Sequence, residues 1–159
     1  MSRGWGIGVM RVRATLLGAA LIATIWATGA SATMRISDDV GGRIGAYVDQ
    51  YSDIRNSGER VVIDGACLSA CTLVLGIVPR NRICVTRRAT LGFHAAWMPG
   101  PNGKPVPSEV GTRALWDLYP SHVRQWISSR GGLSPKMMFL RGRELMSMYP
   151  ECRDEDWLR

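Results

Sequence analysis

The chain of 159 residues is poor in histidine, and that scarcity narrows its chemistry: only His94 and His122 are present. Any imidazole general base must be one of these two. Neither stands beside a cysteine, and the four cysteines form one close cluster only, Cys67-x-x-x-Cys71, with Cys84 and Cys152 standing apart. Zinc sites usually join two such clusters, so no metal is expected, and no other cofactor either. Acid is missing from residues 1–32, which carry Arg3, Arg11 and Arg13. Their apolar run from Ala14 to Ala30 exits through Ala30-Ser31-Ala32. A basic start, an apolar middle and a small-residue exit read as a secretory signal peptide. Met10 opens a more compact basic region than Met1 does, and is an alternative start.

Removing 32 residues and three arginines leaves residues 33–159, which are 127 residues carrying a net charge of +4. That length suits a single domain. After the signal, no apolar run approaches the ~20 residues that span a bilayer, so no membrane association is expected once the signal is cleaved. An uncleaved anchor is the competing reading of the N-terminus. Basic clusters such as Arg80-Asn81-Arg82, Arg87-Arg88 and Arg141-Gly142-Arg143 are too short for a nucleic-acid stripe. Repeats and low-complexity tracts are absent. Four cysteines in an exported small domain suggest two disulfides with three pairings open. Cys67–Cys71 with Cys84–Cys152 is preferred, and requires Cys67 to precede the helix that follows. The expected location is periplasmic or secreted.

Thr33 to Ser37 forms a short candidate strand, ended by Asp38-Asp39. After Gly41-Gly42, the residues Ile44, Tyr47, Val48, Tyr51 and Ile54 make one apolar helical stripe, stopped at Asn56-Ser57-Gly58. Val61-Val62-Ile63 reads as a strand covered on both faces, broken by Asp64-Gly65. Ala70 to Leu75 is helix-compatible, and Ile83 to Val85 and Leu91 to Phe93 are further strands. Trp97 to Pro107 holds four prolines and two glycines and is expected to be irregular. Ser108 caps a helix to about Leu118, another runs from Ser121 to Ser129, and Ser134-Pro135 looks like the start of a third. Alternating strands and helices, followed by helices, give an α/β class. Trp97, Trp116, Trp126 and the methionines Met137, Met138, Met146 and Met148 fit core filling.

Chemistry centres on Cys67-Leu68-Ser69-Ala70-Cys71, where a buried strand turns into a helix. Free N–H groups and the positive helix end there favour negative charge on a nearby oxygen. Ser69 is a candidate nucleophile in need of a base. His94 ends an apolar strand beside Ala95 and Ala96, ahead of the Pro/Gly segment, whereas His122 has polar neighbours and reads as solvated.

The stretch from Gly41-Gly42 through Cys67-Leu68-Ser69-Ala70-Cys71 to Gly92-Phe93-His94 resembles the Clp-protease-like serine peptidases of the crotonase superfamily, and most of all their small exported members. Those carry a C-x-S-A-C nucleophile motif and a G-[FV]-H base motif. Ser69 and His94 are 25 positions apart, and Gly41 and Ser69 are 28 apart, near the family's spacing. The resemblance covers about Met34 to Trp97 well and the C-terminal helices loosely. It implies a truncated ββα spiral core of the Clp-protease/crotonase kind followed by C-terminal helices. Ser69 would then attack a carbonyl carbon and His94 would accept its proton. Ala70 N–H and one from Gly41 or Gly42 would hold the oxyanion. Two departures accompany the likeness. The family's orienting acid, two residues before a Phe-Leu step, falls here on Met137; Glu144 is the candidate substitute, with Asp117 and Glu109 as others. The strands and helix that precede the Gly-Gly turn in the family are lacking, which trims the sheet or leaves an edge for a partner or second copy. The reading is an exported peptidase-like serine hydrolase acting on a peptide or small acyl substrate. Its alternative is an inactive binding or scaffold protein of the same fold. Relatives that form rings or trimers imply a homo-oligomer.

Overall fold

The computed structural model describes Met1, residues 32–153 and Asp156. Of the expected signal peptide, residues 1–32, all but the two end residues lie outside the described residues. The architecture is mixed α/β. Strand β1 (Thr33–Asp39) leads to helix α1 (Ile44–Ser57) and strand β2 (Arg60–Leu68). A 3-10 turn (Ser69–Leu73) runs into the short helix α2 (Val74–Ile77). Strands β3 (Ile83–Val85) and β4 (Thr90–Phe93) follow. Then come β5 (Trp97–Pro99), β6 (Pro105–Pro107), α3 (Glu109–Leu118), α4 (Ser121–Ser129), β7 (Met138–Arg141) and α5 (Gly142–Met148). No described helix is long and apolar enough to cross a membrane.

The α1 stripe lies where its spacing places it. Tyr51 and Ile54 are buried and Ile44, Tyr47 and Val48 pack on the core, while Asp49, Asp53 and Arg55 face solvent. Strand β2 is the spine of the sheet. Val61, Val62 and Ile63 are fully buried, and their backbone pairs with β1 on one side and β3 on the other, both parallel to it. The first half of β2 pairs with β3 (Val61 opposite Ile83) and the second half with β4 (Cys67 opposite Leu91). Strand β7 closes the far edge antiparallel to β4. Phe93 sits at the centre of the core, its ring 5.4 Å from Tyr119 edge-on and 5.5 Å from Trp126, geometries that add to simple burial.

The expected break at Asp64-Gly65 does not occur; β2 runs straight through it. Asp64 is buried, and its carboxylate accepts hydrogen bonds from Arg35 of β1, from Arg88, and from the Thr86 hydroxyl at 2.8 Å. Burial pushes this carboxyl upward, but the Arg88, Thr86 and Arg35 hydrogen bonds outweigh it and hold the pKa at about 2. The charge that should have ended the strand instead ties β1 and the β3–β4 turn to its middle. At Gly65 a side chain is impossible, since a Cβ would lie 1.4 Å from the Ser37 carbonyl oxygen, where β1 bulges between Ile36 and Asp38.

Two further expectations are corrected. Ser134-Pro135 starts no helix: the Ser134 carbonyl accepts from Ala95 N–H at 2.7 Å, and the chain continues as β7 along β4. The Pro/Gly-rich segment is not irregular but folds into a hairpin, with Trp97 opposite Pro107 and a tight turn at Pro101–Gly103. Its Trp97 and Met98 are exposed rather than core. Ser108 caps α3, its hydroxyl accepting from Gly111 N–H at 3.1 Å. Cys67 is joined to Cys71 and Cys84 to Cys152. The second bridge fastens the C-terminal segment to β3, where Cys152 N–H also donates to Val85 O at 3.0 Å.

Candidate active site

Strand β2 ends at Leu68, and Ser69 turns the chain with φ of +56°, one of two non-glycine residues in the left-handed region among the described residues. Such a conformation costs an L-residue roughly 1–2 kcal/mol, so something must hold it. Thr72, buried one turn later, donates from its hydroxyl to Ser69 O at 2.6 Å. That leaves the Thr72 oxygen to accept from Tyr119 O–H at 2.7 Å. Burial pushes the Tyr119 phenol up to about 12, so it stays a donor at any ordinary pH. The Cys67–Cys71 bridge spans the same bend, with Cys67 in the strand and Cys71 in the 3-10 turn. Ser69 itself is half-buried and Ala70 fully so.

The Gly41-Gly42 turn lies directly against this bend. Gly41 has φ of +82°, and a Cβ placed on it would come 2.6 Å from Ser69 Cβ, 2.5 Å from Leu68 O and 3.0 Å from Ala70 N. Only glycine allows that approach. The turn is fixed by Asp39, whose Oδ1 accepts from Gly41 N–H at 2.8 Å and from Tyr47 O–H at 2.5 Å. Burial, together with the Asp39 carboxylate, raises the Tyr47 phenol to about 12. The Gly41 N–H is therefore spent on Asp39, which leaves Gly42 as the donor of this turn.

His94 follows β4 directly. Leu68 stands opposite Gly92 in the parallel pair, so Ser69 and His94 emerge at the same end of adjacent strands. His94 is buried, and its flanking backbone is clamped: Ala95 N–H donates to Ser134 O, and Ala96 N–H donates to Thr112 Oγ1 at 2.9 Å. No hydrogen bond joins the Ser69 hydroxyl to His94 among the described residues. His94 Nδ1 instead lies 2.7 Å from Ala95 O. A carbonyl can only accept, so Nδ1 carries the proton and Nε2 keeps its lone pair.

Among the described residues no carboxylate is hydrogen-bonded or ion-paired to His94. Glu144, the acid named as substitute, is exposed at the start of α5, where both its oxygens accept from Arg130 Nη2 at 2.7 and 2.8 Å. Arg130 draws its pKa down. The partner of His94 Nδ1 is thus the Ala95 carbonyl, and that of Glu144 is Arg130. Asp117 is likewise engaged, by Arg113. Met137 sits beside the site: a Cβ on Gly92 would fall 2.5 Å from its sulfur. His122, read as solvated, is half-buried with Nε2 3.1 Å from the Tyr149 hydroxyl.

Next to Ala95 opens a cleft of about 540 Å³ lined by Pro107, Thr112, Trp116, Leu133 and Pro135, with Arg113 at its margin. Neither Ser69 nor His94 lines it, so it adjoins the histidine only through Ala95. Asp39, Thr72 and Tyr119 were not singled out in the sequence. An acid two positions before the Gly-Gly pair was a usable signal for Asp39, while nothing local marks the other two.

No family model matches the chain, and no curated protein matches it by sequence. Among solved structures, a peptidase from Plasmodium falciparum aligns with 5% identity and a TM-score of 0.47, covering 76% of this chain and 76% of that one. A ClpP1 mutant from Listeria monocytogenes aligns with 12% identity and a TM-score of 0.39, covering 78% of this chain and 94% of that one.

Proposed function

We propose that the chain is an exported, peptidase-like serine hydrolase of the Clp-protease-like kind, with Ser69 as nucleophile and His94 as base. The observation that carries this reading is the left-handed Ser69, projected from the strand-to-turn bend with Gly41 packed against its Cβ and the Ala70 amide. A strained hydroxyl at a strand-to-helix bend, faced by backbone N–H groups, is the arrangement acyl transfer needs. In the reaction, Ser69 Oγ bonds to the carbonyl carbon of a peptide or small acyl substrate as its proton passes to His94 Nε2. The carbonyl oxygen, now anionic, is held by Ala70 N–H and Gly42 N–H. His94 then protonates the leaving group as the carbon–heteroatom bond breaks, and water, deprotonated by His94, releases the acyl group from Ser69. The two disulfides fit an oxidising compartment and favour a periplasmic or secreted location.

The missing carboxylate favours a second reading, an inactive binding or scaffold protein of this fold. A fluorophosphonate probe separates the two. Hydrolase function requires covalent labelling that is lost in Ser69→Ala and slowed in His94→Ala. A folded protein that is never labelled overturns the hydrolase reading.

A further inference from the structure

A cavity of about 280 Å³ that neither Ser69 nor His94 lines opens between the end of α1, α2 with the segment after it, and the start of α4. Its walls include Leu75, Pro79 and Pro120, and its polar groups are Arg55, Arg80 and His122. No carboxylate among the described residues lines it. Every ion pair among the described residues lies elsewhere: Asp64 holds Arg35 and Arg88, Asp156 holds Arg60, Glu151 holds Arg87, Asp117 holds Arg113 and Glu144 holds Arg130. Arg55 and Arg80 thus gather positive charge at one concavity without a counter-ion.

The groups are also held in place. Arg80 Nη2 donates to Met148 O, and its guanidinium lies 5.7 Å from the Tyr149 ring centre, leaving its other N–H groups unspent. Arg82 donates to Arg55 O at 2.9 Å, which fixes the backbone from which Arg55 projects. Tyr149 is buried and burial keeps its phenol protonated. Its hydroxyl has His122 Nε2 as its partner, and by donating to that nitrogen it leaves the His122 proton on Nδ1. Burial, reinforced by the nearby Arg80 charge, lowers the His122 pKa. An anion bound here would offset the Arg80 charge, the smaller of the two causes, while burial is the larger.

We propose that this cavity binds a phosphate-class oxyanion, free or as the head of a small monoester, through Arg55, Arg80 and the His122 imidazole. Guanidinium forks match the tetrahedral oxygens of such a group. The volume leaves room for the anion with a few waters at ~30 Å³ each. The groups facing His122 are Arg80, Tyr149 and Arg55, none of them acidic, so the bound anion favours the imidazolium and affinity rises as pH falls. This site is independent of any chemistry at Ser69.

The test is NMR of the His122 ring in the disulfide-bonded full chain, titrated with inorganic phosphate at constant ionic strength. The expected result is a saturable shift with a His122 pKa raised by about one pH unit. Arg55→Gln, whose side chain holds nothing else in place, should weaken binding roughly tenfold. Vesicles of phosphatidylglycerol form a parallel arm: a stronger response there than to phosphate identifies the anion as a lipid headgroup, and the reverse identifies a soluble phosphate. An unchanged His122 resonance in both arms overturns the proposal. So does an equal shift with chloride, or an unaltered affinity in Arg55→Gln.

Discussion

Gly41→Ala isolates the contact on which the proposed chemistry rests. The added methyl would stand 2.5 Å from Leu68 O and 2.6 Å from Ser69 Cβ, where an ordinary contact needs about 3.5–4.0 Å. The turn and the serine bend must therefore separate by about 1 Å. Moving a reacting group that far can cost ~10²-fold in rate, comparable to losing one oxyanion donor. The left-handed φ of +82° adds a folding cost of roughly 1–2 kcal/mol for alanine. Two neighbours serve as controls. Gly42→Ala meets only Tyr47 Cε2 at 3.4 Å and keeps its N–H, so labelling should change little. Gly45→Ala, with nothing within 4 Å and a place inside α1, should leave labelling alone and raise stability by about 0.5–1 kcal/mol. Second-order rates of fluorophosphonate labelling, measured beside urea midpoints, read both quantities. A folded Gly41→Ala protein labelled as fast as the parent would refute the placement of this turn in the site.

The Asp64 hub gives stability a defined acid limb. Its folded pKa of about 2 lies below the ordinary 3.8, so its contribution is complete above 3.8 and drains away as pH falls towards 2. The difference corresponds to about 2 kcal/mol at most, less the screening expected where Arg35 and Arg88 are half-exposed. Urea unfolding between pH 5 and pH 2 should show this limb flattened in Asp64→Asn; an identical limb in both proteins would refute it. The Cys84–Cys152 bridge closes a separation of 68 residues, so replacing both cysteines with serine should remove about 4 kcal/mol. A loss below about 1 kcal/mol by the same assay would show that the C-terminal segment adheres to β3 without it.

Local signals in the sequence were sufficient where local physics decides. The α1 stripe, its stop near Gly58, the Ser108 cap and the apolar run of β2 all depend on residues within a turn or a strand of one another. Asp64 was illegible because the residues that make its burial tolerable, Arg35 and Arg88, lie 29 and 24 positions away. Ser134-Pro135 misled for the same reason: a cap-like pair lost to the pairing that Ala95 and β4 offered. At the site, the family resemblance named Gly41, Ser69 and His94; Gly41 packs on Ser69, and His94 leaves the neighbouring strand at the same end of the sheet. The resemblance did not convey that Asp39 would claim the Gly41 N–H, because that depends on the side-chain geometry of a turn.

On the proposed reading, a carbonyl in place of an acid behind His94 would separate two tasks that one carboxylate usually performs. Holding the imidazole in the tautomer with a free Nε2 needs only an acceptor at Nδ1, and Ala95 O, 2.7 Å away, is one. Stabilising the imidazolium once Ser69 has surrendered its proton needs negative charge, which a neutral carbonyl supplies only as a dipole. In serine proteases, replacing the acid by its amide costs about 10⁴ in rate largely because the wrong tautomer results. On the proposed reading, that part of the loss would be spared and the part arising from charge would remain. A site built this way spends its deficit where the imidazolium is most developed, in attack on unactivated amides. Substrates whose leaving groups depart without much proton transfer, such as activated esters and the fluorophosphonate itself, demand less of it. Reactivity that falls steeply with leaving-group basicity is therefore the signature by which a carbonyl-supported dyad differs from a complete triad.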